Sequence, residues 1–250
     1  MTKRWILIYA LVILAGTAAW AFSNREEIVK EVGETKNEIE TNYQNSHPPK
    51  EEIVTPEYVL LNVPFLSQAP TANWSDPRQQ DGCEEASILM AHLWLTNKTM
   101  TVKEAEDEII ALSEYQKEKY GEFVDRSMTD TGKLFEEYYK HSNYEIRRNI
   151  TAQDIKEELA QGNIVIVPTN GQILDNPNYT PPGPLTHMLP IIGYDDKTGE
   201  FITNDPGTRN GRQFRFEYQH MIDSIYDYKT GAHEGYEKTE TIMMVVKKSS

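Results

Sequence analysis

The hydrophobic period of this chain changes once, at Gly162, and that change limits the folds open to it. Before Gly162, apolar residues recur at helical spacing. Ala86, Ile88, Leu89, Ala91, Leu93, Trp94 and Leu95 predict a mostly buried helix. Thr101 begins a second helix, with Glu104 completing a capping box and Ile109, Ile110 and Leu112 on its apolar side. A third is expected near Thr129 to Tyr139. Thr151 caps a fourth, running through Ile155 and Leu159 to the stop at Gly162. After it the apolar runs are short. Ile164 to Val167, Met188 to Tyr194, Glu200 to Thr203, Gln213 to Phe216 and Thr241 to Val246 predict strands, with a turn at Asp195-Asp196-Lys197-Thr198-Gly199. Helices first and an antiparallel sheet second make an α+β layout.

Upstream, three stretches differ in kind. In residues 1–22, Lys3 and Arg4 precede an apolar run from Trp5 to Phe22 that contains no acidic residue. Positive charge before the run and Glu26 and Glu27 after it place its N-terminus in the cytoplasm. Ile6 to Ala15, followed by Gly16 and Ala19-Trp20-Ala21, fits a signal peptide. The whole run equally fits an uncleaved single-span anchor. Both send the rest of the chain out of the cytoplasm, so an extracellular or cell-surface address is expected. Residues 23–57 are rich in Glu, Lys, Asn and Thr and read as an acidic, largely disordered spacer. Residues 58–250 have globular composition. Val59 to Phe65 reads as an extended opening segment, and Leu66 to Gly82 as irregular.

Charge excludes some functions. The chain carries −14, from 39 acidic against 25 basic side chains. Segment 1–22 contributes +2 and the spacer −5, which leaves −11 on residues 58–250. No basic stripe for nucleic acid or anionic lipid is present, so the membrane is reached only through the N-terminal segment. Metal binding lacks a helical His-Glu or calcium-loop pattern, and no cofactor is expected.

One cysteine, Cys83, rules out an intramolecular disulfide framework. It stands where irregular sequence gives way to the first helix. Unpaired N–H groups and the macrodipole at a helix start favour a thiolate, and a backbone N–H there can donate to an oxyanion. Glu84 and Glu85, in the same turn, should raise the thiol pKa, so a cationic partner is required.

Six histidines compete for that role. His92 is nine residues along the same helix and half a turn out of phase with Cys83. His47 falls in the spacer, and His141, His220 and His233 lie where packing or solvent explains them. His187 differs, because it follows Pro181-Pro182-Gly183-Pro184 and heads an apolar strand, a position that can face a cleft. A third group should hold its imidazole in one tautomer. Asp205 ends the partner strand of the same hairpin, within reach of His187 if the turn is symmetric, with Asn204 as the alternative.

These residues resemble a known family. Val63-Pro64-Phe65-Leu66-Ser67-Gln68, then Asp81-Gly82-Cys83-Glu84-Glu85-Ala86-Ser87, then His187 to Asp195 with Asn204-Asp205-Pro206 occur in an order similar to papain-like cysteine peptidases. More narrowly they resemble the bacteriocin-processing type, family thirty-nine of the cysteine peptidases, and its exported relatives. The resemblance implies a papain-like fold with N-terminal helices packed on a C-terminal antiparallel sheet. It implies Cys83 as nucleophile, His187 as base and acid, and Asp205 as orienter. It also implies a glutamine that binds the oxyanion, Gln68 by position, with Gln79 or Gln80 as alternatives. Glu84 stands where the transporter-linked members often carry Gly, which points to the exported branch. Trp74, in the loop from Thr71 to Arg78, is a candidate for lining the substrate cleft.

The leading expectation is therefore an exported, monomeric thiol hydrolase cutting peptide or isopeptide bonds in a peptide or protein. Two other readings stay open. One is a surface-displayed binding or adhesion module without turnover, and the other an amidase or thioesterase acting on cell-wall material.

Overall fold

Residues 83–96 are apolar nearly all the way round, and a helix of that kind must be covered on more than one side. The computed structural model, which describes residues 55–231 and 240–248, covers it twice. Helix α2 (Cys83–Thr96) sets Ile88, Met90, Ala91 and Trp94 against a sheet, and Ala86, Leu89 and Leu93 against Ile109 of α3 (Val102–Tyr120). Each fully buried Leu or Ile of this set stabilises the fold by roughly 1.5–3 kcal/mol relative to exposure. The helix ends at Asn97 in the left-handed conformation, and α3 begins with the Thr101–Glu104 capping box. A four-residue helix, α1 (Pro77–Gln80), precedes α2, and α4 (Met128–Tyr139) follows α3. The expectations for residues 1–22 and for the spacer up to residue 54 lie outside the described residues. Val54–Ser250 form one compact unit.

The sheet is antiparallel throughout, with strands β1 (Tyr58–Leu60), β2 (Tyr144–Arg148), β3 (Ile164–Thr169), β4 (His187–Asp195), β5 (Glu200–Asn204), β6 (Arg212–Glu217) and β7 (Ile242–Val246). Its order is β2-β7-β3-β4-β5-β6. Strand β1 pairs residues 193–195 of β4, just beyond the 187–191 stretch that β3 occupies. Gly193 makes this possible, because a Cβ there would lie 2.3 Å from the Val59 carbonyl oxygen.

Alternation along the strands explains their continuous hydrophobicity. Ile164 and Ile166 of β3, and Ile242, Met244 and Val246 of β7, face α2 and α4. Val165, Val167, Met243 and Val245 face the opposite way, towards Ile155 and Leu159 of α5 (Ala152–Ala160) and Met221 of α7 (Tyr218–Ser224). The sheet is thus covered on both faces, so the α+β layout holds with helices on a second side as well. Four elements differ from expectation: β1 forms within the opening segment, β2 forms between two helices, and short α1 and α6 (Gly171–Leu174) lie in stretches read as irregular or unassigned.

Candidate active site

The chain reaches Cys83 through a tight reversal. Asp76 caps α1, accepting from the Arg78 N–H at 3.0 Å, and the chain turns at Asp81 and Gly82 into α2. A Cβ on Gly82 would sit 2.8 Å from the Arg78 carbonyl oxygen, so glycine fits where a larger residue would push the turn apart. Cys83 is the first residue of α2 and is buried. Ser87, one helical turn on, is on the same face. Its hydroxyl donates to the Met188 carbonyl oxygen at 3.1 Å, which ties the first turns of α2 to the start of β4, where His187 stands.

His187 and Asp205 pair directly. His187 Nε2 lies 2.8 Å from Asp205 Oδ1, with both side chains almost fully buried. A carboxylate only accepts, so Nε2 carries the proton and Nδ1 is left as the basic nitrogen. The hairpin delivers this despite a bulge between Ile191 and Gly193, which sets Thr203 opposite Ile191. Asn204 goes elsewhere, donating to the Val63 and Pro64 carbonyls and accepting from the Gln213 N–H.

Asp205 has three further donors: Tyr179 Oη at 2.6 Å and Asn176 Nδ2 at 2.8 Å on Oδ2, and the Gly207 N–H at 2.9 Å on Oδ1. Burial pushes its pKa up. The His187 charge and the bonds from His187, Tyr179 and Asn176 outweigh that and hold it below the ordinary carboxylate value. The Tyr179 ring also stands edge-on to the imidazole at 5.4 Å. Neither Asn176 nor Tyr179 was singled out from the sequence. The segment 175–186 has no period to read, and the only signal was a tyrosine and two asparagines just before the Pro-rich run that leads into His187. Gly207 was missed too, although a Cβ there would meet His187 Cε1 at 2.9 Å.

Cys83 and His187 line one cleft of about 410 Å³, together with Gln68, Trp74, Gln80, Asp81, Asp125, Tyr179 and others. Trp74 is 40% exposed on its wall. Gln68 is buried there with Nε2 donating to the Gln79 and Gln80 carbonyls at 3.1 and 2.7 Å, and Oε1 has no partner. In this arrangement both amide hydrogens are engaged by α1, so oxyanion donation by Gln68 needs its amide to move. Gln79 points away, donating to Glu106 of α3 at 3.1 Å.

The helix-start thiolate expected for Cys83 is not what this environment favours. Burial pushes the thiol pKa well up, and Glu84, Asp125 and Glu85 push the same way. The thiol donates to Glu84 Oε2 at 3.0 Å. The macrodipole is outweighed by desolvation and three nearby carboxylates.

The remaining histidines sit in other surroundings. His92 Nδ1 lies 3.0 Å from His141 Nε2 and its ring stacks on Tyr139, while the His220 ring contacts the Leu174 carbonyl. His47 and His233 lie outside the described residues. No cluster of three or more potential metal ligands occurs among the described residues.

A family model described as Peptidase_C39 like family matches residues 60–239, spanning Cys83, His187 and Asp205. The chain belongs to the Peptidase_C39 like family. Membership in this cysteine peptidase family agrees with the resemblance read from the sequence and with the helices and antiparallel sheet of the fold. Among solved structures, a C39-like peptidase from Bacillus anthracis aligns at 17% identity and TM-score 0.49, covering 78% of this chain and 100% of its own. Xylellain, a cysteine protease from Xylella fastidiosa, aligns at 14% identity and TM-score 0.43, covering 82% of this chain and 91% of its own. No significant match among curated proteins was found.

Proposed function

We propose that this Peptidase_C39-like chain is an exported hydrolase that cuts peptide or isopeptide bonds through an acyl-enzyme on Cys83. The observation that carries the reading is the 2.8 Å His187–Asp205 pair in a cleft whose lining includes the chain's one thiol. Asp205 accepts from Nε2–H and leaves Nδ1 to take the Cys83 proton as sulfur attacks the scissile carbonyl. His187 then gives that proton to the leaving amine. A water deprotonated by Nδ1 attacks the thioester, and the acid product and the Cys83 thiol are released. The α2 N-terminus, with a Gln68 that reorients, would supply donors for the oxyanion. Trp74 would contact substrate at the cleft wall. Residues 1–22 would carry the domain out of the cytoplasm, either cleaved or retained as a single anchor.

Digestion of an unbiased peptide library, alongside purified cell-wall fragments, tests the reaction and its bond class. Wild type should cut peptides, and Cys83→Ala should lose at least about 10³-fold of that rate. Release from wall fragments alone would move the assignment to the amidase or thioesterase reading. No turnover of either by a protein that still binds them would favour the adhesion reading.

A further inference from the structure

The hydrogen bond of the resting thiol goes to a carboxylate rather than to a base. Cys83 Sγ donates to Glu84 Oε2 at 3.0 Å. Glu84 Oε1 accepts from the Arg126 N–H at 3.1 Å and from Tyr228 Oη at 2.6 Å. Glu84 is 2% exposed, and a carboxylate so deeply buried is costly unless donors surround it. The backbone at residue 126 and the hydroxyl at 228 come from segments far apart in the chain, and both converge on this one side chain. A glutamate in the first turn of an exposed helix end would need neither.

Resting on the Cys83–His187 reading above, we propose that Glu84 is a brake on the nucleophile: it holds the thiol in its protonated form until a substrate carbonyl in the cleft draws Sγ towards His187 Nδ1. At rest the proton stays on sulfur and is only shared with Glu84. In turnover the Sγ–H···Oε2 bond breaks and the proton passes to Nδ1 as the S–C bond forms. His187 later delivers the same proton to the leaving amine, so acylation needs no outside proton, and the water that attacks the thioester restores the thiol proton in deacylation.

Other charges face the thiol as well. Glu85 lies beside Glu84 on α2 with its carboxylate towards Ser113 and Gln116 of α3. Asp81 precedes the helix, and Asp125 lies on the α3–α4 connection in the cleft wall. Tyr228, Tyr179 and His187 are near the thiol too. Glu84 is the group hydrogen-bonded to sulfur, so its replacement tests the brake most directly. Glu84→Gln suits the test because its oxygen can keep the Arg126 and Tyr228 donors while its amide turns a donor towards sulfur. That donor stabilises a thiolate instead of a thiol.

The experiment is the pH dependence of Cys83 alkylation by iodoacetamide in the full chain, read by intact mass, with thiolate absorbance titrated in parallel. Glu84→Gln should move the midpoint down by about one pH unit or more and raise the neutral-pH rate roughly tenfold. A merely structural glutamate would give an unchanged or slower rate, and either result overturns the brake. If the variant fails to fold, the wild-type titration decides: a thiolate midpoint above the ordinary thiol value of about 8.5 supports the brake, and one near neutral or below overturns it. The alkylation rate of His187→Ala, compared with that of wild type, keeps the two readings apart. Loss of His187 dependence would sink the hydrolytic assignment. Intact His187 dependence with no effect of Glu84→Gln would sink the brake alone.

Discussion

Asp205 holds a full negative charge at 0% exposure, and four donors make that tolerable. With its folded pKa depressed below the unfolded value, Asp205 adds stability above about pH 4 and loses it as pH falls through the folded value. Replacing it with Asn should lower hydrolysis roughly 10²- to 10⁴-fold, because the imidazole then loses its preferred tautomer, and kcat on a cleaved peptide reads the loss. Gly207→Ala should act through crowding, since its methyl would meet His187 Cε1, and should slow Cys83 alkylation while secondary structure by circular dichroism stays intact. At this scale the sequence was legible where position carries meaning. Cys83 at a helix start and His187 at the head of an apolar strand could be placed from periodicity, whereas Asp205 could be placed only across an assumed symmetric hairpin, with Asn204 as the alternative, because register is not written in the period. Tyr179 and Asn176 could not, because they act from a loop whose path is set by tertiary contacts. The direction of the Gln68 amide was equally hidden, being fixed by carbonyls of α1, which is too short to show a period.

Among the elements, β1 depends on a glycine in another strand. Gly193→Ala should destabilise the domain by about 1–3 kcal/mol, seen in chemical denaturation, because a methyl would collide with the Val59 carbonyl where β1 lies against β4. The α2–α4 contact carries a pH signal through His92 and His141. Burial, then His141 and Lys98, lower the His92 pKa from the ordinary value to about 4, and burial lowers that of His141. Between pH 6.5 and about 4 the unfolded chain therefore binds more protons than the folded one, so stability falls as pH falls through that window. His92→Phe keeps a ring on Tyr139 and should flatten the slope of Tm against pH there. Long periodic helices and hairpin strands were readable in the sequence. Strand β2 was not, since Tyr144-Glu145-Ile146-Arg147-Arg148 has one aliphatic residue and becomes a strand only by pairing with β7.

Across the whole molecule, the −11 of residues 58–250 says little about chemistry, whereas burial first, and then the carboxylates around Cys83, push its thiol pKa up. Because Val54–Ser250 form one compact unit, that piece produced alone should alkylate at Cys83 at the same rate as the full chain. The α+β layout was readable from the change of period at Gly162. Burial of both sheet faces was only implicit in the unbroken apolar runs of β3, β4 and β7. The central claim is that Cys83 and His187 are one chemical unit, and the most direct measurement is the ratio of Cys83 alkylation rates, wild type over His187→Ala, at neutral pH. The account predicts a ratio of at least roughly ten, because removing the base leaves a buried thiol among carboxylates. Equal rates in the two proteins would contradict it.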